Sequence, residues 1–141
     1  MSLLFLKSFC KRPFQVASVV PSLRPLVQRV AAASVADGEG AFRACAACHT
    51  VEQGRPHRVG PNLWGVVGAD IAGKDFGYSD VLAGKEGAWT LAKLDAWLEN
   101  PMAWAEGTTM AYAGLQDPEE RAAVIAYLRS LDDEPVPLEQ A

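Results

Sequence analysis

The sequence predicts an all-α fold of four to five short helices, and three observations carry that expectation. Apolar residues recur at spacings of three and four in Leu91, Leu94, Trp97 and Leu98, and again through Ala122, Val124, Ile125, Tyr127, Leu128 and Leu131. That is the period of a helix with one buried face. No strong parallel-strand run lies between them. The third observation is Cys45-Ala46-Ala47-Cys48-His49, two cysteines three apart on one helical turn with a histidine directly after.

This pentad is the arrangement that covalent haem attachment needs. The two thiols add to the two vinyl groups along one edge of a porphyrin, and the adjacent imidazole is held under the iron. A Cys-x-x-Cys pair is also half of a zinc site, whose second half would have to come from elsewhere. The remaining cysteine is Cys10 and the remaining histidine is His57. A thioredoxin-like dithiol needs alternating strands and helices, and a disulfide between Cys45 and Cys48 would constrain almost nothing. One covalently bound haem, filling much of the core, is the reading that fits the rest of the chain.

The length of 141 residues leaves room for one domain, but charge divides it unevenly. Residues 1–36 hold Lys7, Lys11, Arg12, Arg24 and Arg29 and no acid, while residues 37–141 hold the other 8 bases and all 17 acids, a net charge of −9. Residues 1–36 read as a targeting segment that is cleaved, with Ser34-Val35-Ala36 as small residues at a cleavage point. Pro13, Pro21 and Pro25 break any long helix there, and no run approaches 18 apolar residues, so a spanning anchor is not expected. Residues 37–132 form the domain and 133–141, with Pro135 and Pro137, a solvated tail. A domain this acidic is a poor partner for nucleic acid or anionic lipid.

The elements follow in order. From Asp37 the pattern turns helical, and the small residues Gly40, Ala41 and Ala44 suit close packing against another helix. Phe42 lies three before Cys45, on the same face. Thr50 to Arg58 is polar and broken by Gly54 and Pro56, a loop. Gly60-Pro61-Asn62-Leu63-Trp64-Gly65 suggests tight backbone near a flat ligand. A carbonyl on the Pro61 turn is one candidate to accept from the second nitrogen of an iron-bound imidazole; a purely structural turn is the other. Asp75 to Ser79 is a turn leading to a short helix through Leu82. Thr90 is the N-cap of a helix that Asn100-Pro101 ends. Met102 to Gly114 reads as irregular, and Pro118-Glu119-Glu120 starts the last helix.

The pentad, Gly60-Pro61-Asn62-Leu63, Phe76-Gly77-Tyr78-Ser79-Asp80, Trp89, Leu98-Glu99-Asn100-Pro101, Gly107-Thr108-Thr109-Met110 and Ile125-Ala126-Tyr127-Leu128 occur in that order. Taken together they resemble a class I cytochrome c of the mitochondrial and alphaproteobacterial respiratory type, over residues 38–131. The resemblance implies thioether links at Cys45 and Cys48, His49 as proximal iron ligand, Met110 as distal ligand, and the Pro61 carbonyl orienting His49. It implies that Tyr78, Trp89 and Thr108 hydrogen-bond the haem propionates. Trp97 falls where the family often has a tyrosine near the methionine, Tyr112 where an aromatic covers the haem edge, and Phe42 and Tyr127 where first and last helices touch. Two departures stand out. Ala69 occupies a place where members often carry an arginine near a propionate, and Ala44, Met102, Ala103 and Thr109 occupy places where mitochondrial members have lysines.

The resemblance implies a one-electron carrier with haem c, monomeric, not an enzyme and without a small-molecule substrate. Its donor would be a quinol-oxidising cytochrome bc complex and its acceptor a terminal oxidase or another redox enzyme. The location would be periplasmic, or alternatively the mitochondrial intermembrane space. If Met110 were to dissociate, a peroxidase or gas-binding sensor would be the competing reading; without haem, a small zinc or scaffold module.

Overall fold

The computed structural model describes residues 24–141, so most of the expected targeting segment, with Cys10, lies outside the described residues. Six α-helices and one 3-10 helix follow each other: α1 (Leu26–Ala32), α2 (Val35–Ala41), a 3-10 helix (Phe42–Ala47), α3 (Asp80–Ala83), α4 (Leu91–Glu99), α5 (Pro101–Trp104) and α6 (Pro118–Ser130). Extended pairing among the described residues is limited to one antiparallel bridge between Asp70 and Ala88. It is reinforced by Gly68 donating to the Trp89 carbonyl at 2.9 Å and Trp89 donating to that of Ala69 at 2.8 Å. This clasp ties the long loop ahead of α3 to the segment that leads into α4.

α6 is the central element and packs against α1, α2 and α4. Asp117 caps it by accepting from the Glu119 amide at 2.8 Å, Pro118 takes its first position, and Arg129 sits in the last turn where the helix dipole favours a cation. Its inner face buries Ala122, Val124, Ile125 and Leu128. α2 crosses it so closely at Gly38 that a Cβ there would collide with the Ala123 carbonyl. The Phe42 and Tyr127 rings meet beside that crossing, 5.4 Å between centroids.

α4 is held against α6 by a buried guanidinium. Arg121 is 5 % exposed. It donates to Asp95 at 2.8 Å, to the Leu115 carbonyl at 2.8 Å and to the Gln116 carbonyl at 3.0 Å. Such a charge is tolerated inside only because its donors are used in this way. Thr90 caps α4 as expected, accepting from the Lys93 amide at 3.2 Å.

Three sequence expectations are revised. The folded body begins ahead of residue 37. Leu26, Val30 and Ala33 form a short apolar stripe against the core, and Ser34 caps α2 by accepting from the Asp37 amide at 3.2 Å. The basic, acid-free composition of this region masks that stripe. Residues after Pro101 are not wholly irregular either: Asn100 accepts from the Ala103 amide at 3.0 Å and restarts the chain as α5, with Pro101 at its first position. The segment 133–141 folds back rather than running free, with Leu138 and Ala141 packed on the core and the Val136 carbonyl accepting from Arg129 Nε at 2.7 Å.

Candidate functional site

The 3-10 helix sets the first wall. The amides of Cys48 and His49 both donate to the Cys45 carbonyl at 3.0 Å, closing the pentad on itself as one turn. Both cysteines are free thiols and half-buried. Burial pushes the Cys45 thiol pKa up, and the neighbouring Cys48 adds to that against an opposing backbone hydrogen bond. Cys45 is therefore held toward the thiol form. Among the described residues, no group of three or more His, Cys, Asp or Glu side chains gathers as a metal-ligand set.

His49 is the most constrained member. Its Nδ1 donates to the Pro61 carbonyl at 2.7 Å, which fixes the tautomer and leaves Nε2 with its lone pair. Burial lowers its pKa and the Pro61 carbonyl only partly offsets this, so the ring is biased toward the neutral form. Gly60 passes so close to the imidazole that a Cβ there would fall 2.7 Å from Nδ1 and 2.8 Å from Nε2. The turn carrying Pro61 is itself braced. Asn62, buried, donates to Thr50 Oγ1 and to the Glu52 carbonyl, both at 3.0 Å, and accepts from the Trp64 amide at 3.1 Å. His57 accepts from the Asn62 amide at 2.8 Å and packs edge-on against Phe76, so its ring serves the loop and lies outside the cavity wall.

These residues open onto a cavity of about 440 Å³. All nine sequence-predicted residues, Cys45, Cys48, His49, Pro61, Tyr78, Trp89, Trp97, Thr108 and Met110, lie in its wall, with Phe42 and Tyr112 beside them. Met110 comes from the loop between α5 and α6, its amide donating to Thr108 Oγ1 at 3.3 Å; this leaves the buried Thr108 hydroxyl its own proton to donate. Trp89 and Trp97 are both buried, 5.7 Å apart, and Trp104 stacks on Trp89 at 5.3 Å. Burial pushes the Tyr78 phenol pKa up, against a smaller lowering from the Lys74 backbone.

The wall fits a haem. It is mostly apolar, carries two thiols and an oriented imidazole on one segment, and places a thioether on another. It also holds a hydroxyl, Ser79 Oγ, that is buried with no partner among the described residues. Native interiors rarely leave such a group unsatisfied, and the carboxylates of a haem are acceptors for it. Sequence reasoning missed Ser79 and Lys74 as contributors, and read Gly60 and Asn62 only as part of a tight turn near a flat ligand, without their individual contacts. The signal for Ser79 was its place directly after Tyr78; the others required knowing which backbone approached which ring.

The family model described as Cytochrome c matches residues 35–132. The chain is similar to the cytochrome c homolog of Bradyrhizobium diazoefficiens, 46 % identical over 119 residues, covering 83 % of this chain and 65 % of that protein, just under two thirds of its length. It is 42 % identical over 109 residues to cytochrome c2 of Afifella marina, 73 % of this chain and 86 % of that one. Among solved structures, cytochrome cH from Methylobacterium extorquens superposes with a TM-score of 0.65 at 38 % identity, over 69 % of this chain and 98 % of that one.

Proposed function

Because the chain belongs to the cytochrome c family, we propose that it is a one-electron carrier whose iron is held between His49 and Met110. The family binds one covalently attached haem c, and the Cys45 and Cys48 spacing is that of its attachment motif. Cys45 and Cys48 would hold the group through thioether links, each thiol adding its sulfur and its hydrogen across one vinyl double bond with no leaving group. Haem c supplies the ferric/ferrous couple, and histidine–methionine ligation raises its potential. The chain's own part is to orient and to exclude water. Pro61 fixes the His49 ring, Gly60 leaves it room, and the buried Trp89, Trp97, Leu94 and Leu98 keep the cavity apolar.

The observation that carries this reading is one cavity lined by Cys45, Cys48, an oriented His49 and Met110. His49 and Met110 would together hold the iron and leave no coordination place for a substrate, in keeping with carriers rather than enzymes. The test is extraction: haem should stay with the denatured polypeptide in acidified organic solvent, and Cys45→Ala with Cys48→Ala should release it. Haem lost from the unaltered protein would sink the proposal.

Donor and acceptor are proposed as a cytochrome bc complex and a terminal oxidase or other redox enzyme, met in the periplasm or the intermembrane space. No helix among the described residues is long and apolar enough to cross a membrane. The packing of α1 argues that any cleavage falls ahead of Leu26, since removal of residues 1–36 would strip Val30 from its buried place. N-terminal sequencing of exported protein tests this, and a mature start at Asp37 would overturn it.

A further inference from the structure

The cavity wall contains one strong cation and one acid, Lys74 and Asp70, and they do not pair. Lys74 Nζ is part-buried and donates once, to the Trp64 carbonyl at 2.8 Å, leaving two N–H groups without a protein acceptor among the described residues. Asp70 is exposed. Ser79, five residues along the same loop, holds the buried unpartnered hydroxyl. Desolvation lowers the Lys74 pKa and no neighbouring anion offsets it, so the ammonium is placed where an acceptor of negative charge is missing.

We propose that Lys74 is the charge partner of a haem carboxylate, with the Ser79 hydroxyl donating to the same end of the haem. The assignment rests on the haem-bearing reading given above. The cavity wall is largely apolar, and a carboxylate entering it needs a counter-charge and hydrogen-bond donors. Lys74 offers the charge and two spare donors, and Ser79 the hydroxyl. The Trp64 carbonyl orients the ammonium; the backbone of the loop, clasped at Asp70 and Ala88, orients Ser79. A cation in the wall of the haem cavity would disfavour the ferric state, so Lys74 would also raise the reduction potential.

The experiment is equilibrium redox titration of haem-loaded Lys74→Gln, Lys74→Arg and Lys93→Gln. Glutamine keeps a donor for the Trp64 carbonyl but removes the charge. Lys93 lies outside the cavity wall, donating to the Glu86 carbonyl at the surface, and controls for general charge loss. Lys74→Gln should lower the reduced-to-oxidised ratio at a fixed potential by about three- to tenfold, the upper end being about 59 mV for one electron. Lys74→Arg should restore most of it, and Lys93→Gln should change it less than twofold. Should Lys74→Gln fail to load, Lys74→Arg alone decides: a charge partner keeps the potential, whereas an ammonium needed only in its own shape loses the haem with arginine too. An unchanged potential in Lys74→Gln, with haem still attached and its axial ligation spectrum intact, would overturn the Lys74 assignment and leave the carrier reading standing. Absence of covalent haem from the unaltered protein would overturn both.

Discussion

Two glycines in α2, two residues apart, should respond to alanine in opposite directions. At Gly38 a Cβ would strike the Ala123 carbonyl and lie 2.6 Å from its carbon and 2.9 Å from Tyr127 Cβ. The obstacle is α6 backbone, which cannot rotate away, so α2 must lift from its main packing surface. Overpacking of this kind costs about 1–3 kcal/mol. Helix propensity returns up to about 1 kcal/mol for Gly→Ala, and lifting α2 also parts Phe42 from Tyr127, which adds about 0.5–1.5 kcal/mol to the cost. The net expectation for Gly38→Ala is a loss of about 1–3 kcal/mol, a fall in Tm of roughly 3–6 °C per kcal/mol for a domain of this size. Gly40 meets nothing within 4 Å. There the propensity gain stands alone, and Gly40→Ala should gain about 0.5–1 kcal/mol. Thermal unfolding of the haem-loaded ferric proteins, followed by far-UV circular dichroism, reads both. A Gly38→Ala protein as stable as Gly40→Ala would refute the crossing geometry that places the first wall of the site.

Two further outcomes are expected. Arg121→Met should lower stability by about 2–4 kcal/mol, because it strands the half-buried Asp95 and leaves two carbonyls unpaired; lysine should recover less than half, since one ammonium cannot span the three acceptors, and denaturant midpoints check both. The rate of electron transfer to its acceptor should change only weakly with salt, because Ala44 and Thr109 in the cavity wall, and Ala46 and Ala47 between the two cysteines, are exposed and uncharged. Charge at the rim is screened over about 10 Å at 0.1 M. A steep fall in stopped-flow rate between low and physiological salt would instead show complementary charges in the encounter.

The local signals in the sequence were strongest where covalent or capping chemistry repeats at fixed offsets. The pentad, the Thr90 cap with the Asn100-Pro101 stop, and the Pro118-Glu119-Glu120 start of α6 are all one-dimensional patterns, and each reappears in the fold. The contact of Phe42 with Tyr127 was reached only through the ordered set of family motifs. What stayed hidden depends on approach between distant backbone. Gly60 against His49, Gly38 against Ala123, and the Lys74 ammonium on the Trp64 carbonyl have no signature in spacing. α1 escaped notice because seven residues are too few for periodicity to outweigh a basic composition. The tail beyond Asp132 was read from its prolines, although Val136 and Leu138, set between and after them, are the residues that turn back to the body.

His49 and Met110 are the two residues of this cavity that would hold the iron. Met110 lies in the cavity wall, whereas Met102 is 48 % exposed and outside it. The most direct test is the near-infrared absorption of the ferric protein, with its potential, for Met110→Ala and Met102→Ala. Met110→Ala should abolish the weak sulfur–iron band and lower the potential, and Met102→Ala should leave both unchanged. A band that survives Met110→Ala, or vanishes with Met102→Ala, would contradict the account.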